Sequence, residues 1–219
     1  MSQPTVYAIF PIPIYTIECD VDITDAVNFL EQSHSLIPNE FADDYGCKSE
    51  DDYILDNPVC NPLKDFIIKH LTNYASSIMA WEFESFQITQ SWVSIKQPGE
   101  QHGLHYHPNS MLSAVFYFQQ DSEKTEYIKF HRPEIITQLM NQFSPAISIE
   151  KQQHTEFPWH FWSMPPKKNT LVIFPSWINH SVGKNTDTVA RKSLAVNAIP
   201  TGKFGNRHSS AEIDISRLK

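Results

Sequence analysis

The 219-residue sequence predicts an α+β fold in which helices come first and a sandwich or jelly roll of strands follows. Three observations lead there. Apolar residues between 61 and 78 recur at three- and four-residue intervals. After Trp81 the pattern changes to period two and stays there. No helical pattern alternates with the late strands, which argues against a parallel sheet. Composition agrees, because Phe (14), Tyr (8) and Trp (5) are plentiful while Gly numbers only 6. The length suits one domain: 1–85 as N-terminal strand and helices, 86–200 as the strand-rich core, and 201–219 as a polar tail.

Thr5 to Ile17 is apolar and β-rich but carries Pro11 and Pro13, which confines it to an edge strand or a covering arm. Asp20 to Ser33 reads as a short helix through Ala26, Val27, Phe29 and Leu30. The stretch 35–58 is polar, acidic and irregular, a surface excursion near the substrate. Asn61-Pro62 opens the clearest helix, as N-cap and first helical residue, with Leu63, Phe66, Ile67, Leu71, Tyr74, Ala75 and Ile78 on one face. Phe86 to Lys96 alternates as a strand and ends at Pro98-Gly99. His105 to Phe118, Glu126 to Phe130, Phe161 to Met164, Asn169 to Phe174 and Arg191 to Ala198 are the other strands, with a weak helical or loop signal over Pro133 to Phe143.

The formal net charge of −8 disfavours nucleic acid as a partner. No apolar run reaches the roughly 18–20 residues that cross a bilayer, and the first residues show no positive region followed by an apolar stretch, so a signal peptide is not expected. Cys19, Cys47 and Cys60 match neither a disulfide framework nor a zinc knuckle, so the expected setting is a reducing cytoplasm. Self-association is left open.

Three of the ten histidines, His102, His105 and His107, lie within six residues. On an extended chain i and i+2 side chains share a face, so His105 and His107 would project together towards one metal ion. Imidazole suits iron, zinc, copper and nickel alike. A distant His180, where an apolar strand turns through Pro175-Ser176-Trp177, is the best third ligand. Each of these histidines alone also fits a plainer role, on the surface or closing a turn. Eleven residues on, Arg191, Ser193, Ala195 and Asn197 share one strand face, an arrangement suited to anchoring a carboxylate in a desolvated pocket. A surface ion pair is the plainer reading of Arg191.

Taken together, His105-Tyr-His107-Pro-Asn-Ser-Met-Leu-Ser-Ala-Val-Phe-Tyr117 and Phe174-Pro-Ser-Trp-Ile-Asn-His180-Ser-Val182, followed by Arg191-x-Ser193, resemble the 2-oxoglutarate/Fe(II) oxygenases. The resemblance covers about 86–200 and is strongest to a bacterial and phage branch with an HxHPNSxLSGVYY motif, where Ala114 replaces the usual glycine. It implies a double-stranded β-helix, a cupin-like jelly roll, with Fe(II) held by His105, His107 and His180. It further implies 2-oxoglutarate as co-substrate, O2 as oxidant, and hydroxylation of a small-molecule or peptide C–H bond. Arg191 and Ser193 would hold the distal carboxylate, with Tyr117 reaching it from the face it shares with both histidines, and Asn109 and Asn197 lining the pocket. The family's usual 2-His-1-carboxylate set has a carboxylate where this chain has His107, so the site is three-histidine, or a group such as Glu100 or Glu126 approaches, or His107 stands behind the ligands without touching the metal. Two other functions compete: a three-histidine cupin-like metalloenzyme that needs no oxoacid, and a non-catalytic binding module. Aromatic loops at 35–58 and 131–160 (Phe157, Trp159, Phe161, Trp162) are where substrate selection would lie.

Overall fold

The computed structural model describes residues 11–32, 34–38, 46–119, 128–133, 161–165, 167–205, 208 and 212–217. Two antiparallel sheets face each other, and the helices cover the outer face of the larger. In chain order the strands are β1 (Tyr15–Glu18), β2 (Leu36–Pro38), β3 (Cys47–Ser49), β4 (Ser85–Lys96), β5 (His102–His105), β6 (Leu112–Tyr117) and β7 (Ile128–His131). Then come β8 (Phe161–Met164), β9 (Thr170–Pro175), β10 (His180–Val182), β11 (Arg191–Thr201), β12 (Lys203–Phe204) and β13 (Ile213–Asp214). The large sheet runs β1-β9-β6-β11-β4-β3-β2 and the small one β5-β10-β7-β8, which is the jelly-roll layout of a double-stranded β-helix. β12 and β13 pair separately, so part of the polar tail is an ordered hairpin.

Alternation decides which residues meet. Leu194 and Val196 of β11, Val93 and Ile95 of β4, and Leu171 and Ile173 of β9 point outward into the main core. There they meet Leu63, Phe66, Ile67 and Leu71 of α2 (Asn61–Asn73), with Ala26 and Leu30 of α1 (Thr24–Glu31) alongside. The alternate residues face the other sheet, where Tyr117, Ile128, Phe130, Val172, Phe174 and Ile178 form a second, smaller cluster. Polar inner-face residues at one end of this layer are thereby held among apolar ones.

Several expectations are corrected here. His105 to Phe118 is not one strand: β5 ends at His105, a turn with Asn109 at φ 59° intervenes, and β6 begins at Leu112. Pro108 and a residue in the left-handed region cannot continue a ladder. The stretch 35–58 is not wholly irregular, because β2 and β3 extend the large sheet and Ile54 and Leu55 are buried. Asn61 is not the N-cap. Asn57 accepts from the Val59 N–H and opens a 3-10 turn at Pro58–Cys60, from which α2 continues. The helix also ends earlier in α form, passing into a π-helical turn at Tyr74–Ile78. β10 was missed altogether, since three residues carry no period. β1 is the expected edge strand, paired with β9 alone. Thr5 to Phe10, Glu126, most of Pro133 to Phe143, and Phe157 and Trp159 of the aromatic loop lie outside the described residues.

Ile67 is fully buried between α2 and the sheet. Ile67→Ala should destabilise the chain by about 2–5 kcal/mol, read as a lower urea midpoint with unchanged slope.

Candidate active site

His105 and His180 are directly opposed on the paired strands β5 and β10, which sets their ring centroids 4.2 Å apart. His107 arrives differently, from the turn after β5. Its backbone N–H donates to Ser176 O at 2.9 Å, and the same turn is locked by Ser176 N–H to Met111 O and Met111 N–H to Ala198 O. The ring lies 5.3 Å from His105 and 5.0 Å from His180, centroid to centroid. One nitrogen from each of the three comes within 4.8 Å of the others, a spacing that one ion would bridge. The convergence is as expected, but its cause is a turn docked on the Pro175–Ser176 corner and not two alternate positions of one strand.

The tautomers suit ligation. His105 Nδ1 lies 2.8 Å from Gly103 O, His180 Nδ1 3.0 Å from Ile178 O, and His107 Nδ1 2.5 Å from Asn197 Oδ1. All three acceptors are carbonyl-type oxygens, so each Nδ1 carries the proton and each Nε2 keeps its lone pair. Burial also favours the neutral ring. It pulls the His180 pKa well below the ordinary histidine value, with His105 and His107 adding to the effect. His107 shifts down for the same reason, opposed by its bond to Asn197. Phe174 packs edge-on against His180 at 4.8 Å, and Trp92 stacks on His107 at 5.9 Å. Among the described residues the converging group holds no carboxylate. Glu100 instead accepts from the Gln97 N–H and closes the turn after β4.

A narrow cavity runs from this group into the layer between the sheets. Its walls include the three histidines, Tyr117, Arg191 and Ser193. Arg191 is 8% exposed, Ser193 5% and Tyr117 5%, so a guanidinium sits in an almost closed space beside two hydroxyls. Burial raises the Tyr117 pKa, partly offset by the Arg191 charge, and the phenol remains a neutral donor. Sequence reasoning missed Ser94, which faces Ser193 across the β4–β11 ladder, and Trp92, opposite Ala195; both line the cavity. Only the strand register, which a single sequence does not carry, would have revealed them. Asn109 and Asn197 line the outer cleft of about 560 Å³ and not the Arg191 cavity. Lys48 and Tyr53, from the stretch first read as an excursion, line that cleft too, as do Tyr106 and His102.

The fold is a jelly roll of the double-stranded β-helix class, and in it three imidazoles converge beside a buried arginine with the spacing to hold one metal ion. Residues 90–197, which contain every residue of the centre, match the family model described as "Putative 2OG-Fe(II) oxygenase", and this part of the chain is similar to that family. Solved structures share the fold. The α-ketoglutarate-dependent epimerase SnoN from nogalamycin biosynthesis superposes with a TM-score of 0.61 at 9% identity, covering 89% of this chain and 79% of its own. HygX from Streptomyces hygroscopicus, solved with nickel and 2-oxoglutarate, gives 0.58 at 11% identity, covering 87% and 84%. A Pseudomonas putida prolyl-4-hydroxylase gives 0.54 at 13% identity, covering 87% and 94%. No curated protein matches the chain.

His180 is 3% exposed and supplies the most buried imidazole of the group. His180→Ala should abolish stoichiometric Ni(II) binding in isothermal titration while the apo protein melts within a few degrees of wild type. Wild-type affinity in that variant would remove His180 from the ligand set.

Proposed function

We propose that this chain is an Fe(II)- and 2-oxoglutarate-dependent oxygenase that hydroxylates a small-molecule or peptide substrate, with His105, His107 and His180 as metal ligands. The donor set fits the ion: three neutral imidazoles with Nε2 available form a borderline-soft set suited to divalent iron. When bound, Fe(II) and 2-oxoglutarate would supply the four-electron reduction of O2, two electrons coming from decarboxylation of the oxoacid to succinate and CO2 and two from a substrate C–H bond, with one oxygen atom in succinate and the other in the product. The rest of the chemistry belongs to the protein.

The observation that carries the reading is the buried Arg191 sharing one narrow cavity with the three histidines. A guanidinium at 8% exposure favours an anion with planar, paired oxygens, which a dicarboxylate presents at either end. Tyr117 and Ser193 supply further hydroxyl donors to the same end, and Ser94 stands across from Ser193. Three neutral ligands leave the full charge of the cation uncompensated, which favours a dianionic co-substrate more than a site with one carboxylate would. A three-histidine metalloenzyme working without an oxoacid has no use for that arginine. The apolar layer of Ile128, Phe174 and Val172 behind the site excludes water from it.

Substrate would enter by the outer cleft, where Tyr53, Tyr106 and Trp92 offer aromatic surface and Gln90 and Asn109 offer amides. Relatives of this fold include an epimerase and a carbocyclase, so the fold does not dictate the product, and hydroxylation is the simplest outcome.

The test is succinate release by protein loaded with Fe(II), 2-oxoglutarate and O2. Slow uncoupled turnover that rises with the right substrate is expected, and absence of both turnover and 2-oxoglutarate binding would overturn the reading. Arg191→Ala should raise the Kd for 2-oxoglutarate at least about 30-fold, the equivalent of losing roughly 2 kcal/mol of charge pairing, with metal affinity retained. Equal loss of metal and oxoacid would contradict the role given to Arg191.

A further inference from the structure

The third imidazole takes its Nδ1 partner from a side chain that is not itself part of the converging group. His107 Nδ1 meets Asn197 Oδ1, and Asn197 has two further polar neighbours: its Nδ2 donates to Gln90 Oε1 at 3.4 Å, and its Oδ1 accepts from Ser113 Oγ at 3.1 Å. Ser113 Oγ lies 2.8 Å from Ser176 Oγ, Ser176 Oγ donates to Ser110 Oγ at 2.9 Å, and Ser110 Oγ donates to Leu112 O and Ala198 O. Ser113 and Ser176 are fully buried and Asn197 is 7% exposed. Thr89 reinforces the spot from the other side. It is the residue left over where the β4–β11 register slips after Asn197, and its hydroxyl donates to Asn197 O at 3.2 Å.

An asparagine opposite an imidazole is a choice between two states. With its oxygen towards the ring, Nδ1 is protonated and Nε2 is a ligand. With its amide nitrogen towards the ring, Nδ1 accepts, Nε2 carries the proton, and the ring cannot bind a metal. His105 and His180 face no such choice, because their Nδ1 partners are backbone carbonyls.

We propose that Asn197 is the positioning residue that makes His107 a metal ligand, selecting its Nε2-ligating tautomer, with Gln90, which accepts from the amide nitrogen, and Ser113, which donates to the amide oxygen, holding the amide in the required orientation. The inference rests on the metal reading above. It also explains how two motifs far apart in sequence cooperate: Ser110 belongs to the segment after His107, Ser176 to the segment before His180, and Asn197 to the strand of Arg191. A carboxylate at 197 would accept the same proton and select the same tautomer, so the proposal separates tautomer control from simple packing.

The test is anaerobic titration of the apo protein with Co(II), read by d–d absorption and by calorimetry. Asn197→Ala should weaken Co(II) binding about 10–100-fold, and Asn197→Leu, which keeps the branched shape without a polar atom, should weaken it equally. Asn197→Asp should bind within about threefold of wild type or tighter, with its d–d bands shifted by the stronger donor. Alanine and leucine variants that bind as wild type does, or an aspartate variant as weak as both, would overturn the proposal. Failure of the wild-type protein to bind Co(II) would remove the metal reading itself, and this inference with it.

Discussion

In the proposed metal centre three imidazoles have to present Nε2 lone pairs to one point, and each gives its other nitrogen to an acceptor. That constraint organises the centre. Two of the acceptors are backbone carbonyls two residues before their histidine, Gly103 for His105 and Ile178 for His180, so local chain conformation alone sets those rings. The third needs long-range help, because His107 sits in a turn and meets a side chain from β11, ninety positions away. The site is therefore complete only when the β5–β6 turn, the β9–β10 corner and β11 are assembled together.

The two faces of the large sheet divide the labour. Outward residues of β4, β6, β9 and β11 are apolar and pack on the helices, where most of the buried hydrophobic area lies. Inward residues of β4 and β11 include Gln90, Trp92, Ser94 and Lys96 with Arg191, Ser193, Ala195 and Asn197, a largely polar stripe that would be costly to bury without partners. The small sheet closes over that stripe, and its own β5 and β10 bring the histidines to the stripe's mouth. Stability is concentrated on one face, which frees the other to hold strained or polar chemistry.

Much of this was legible in the sequence, for physical reasons. α2, β4, β9 and β11 are long enough to show their period, and the Arg191-x-Ser193 stripe follows directly from alternation on one strand. The histidine set was legible because His-x-His and a distant histidine after an apolar strand are both unusual. Two things were not. The break between β5 and β6 was signalled by Pro108-Asn109, a turn dipeptide that the apolar run after it obscured. Ser94, Trp92 and the true position of Asn197 depend on cross-strand register, and register belongs to pairs of strands. Alternation put Asn197 on the same strand face as Arg191, and the structure agrees, but six residues along β11 that face lies beneath His107 and beside a bulge.

The central claim is that one ion is held by three imidazoles and by no protein carboxylate. Anomalous diffraction from crystals soaked anaerobically with Fe(II), recorded on either side of the iron edge, tests it most directly. The account predicts one peak at bonding distance, about 2.0–2.2 Å, from Nε2 of His105, His107 and His180. A peak coordinated by an aspartate or glutamate oxygen in place of any one of these nitrogens would contradict it.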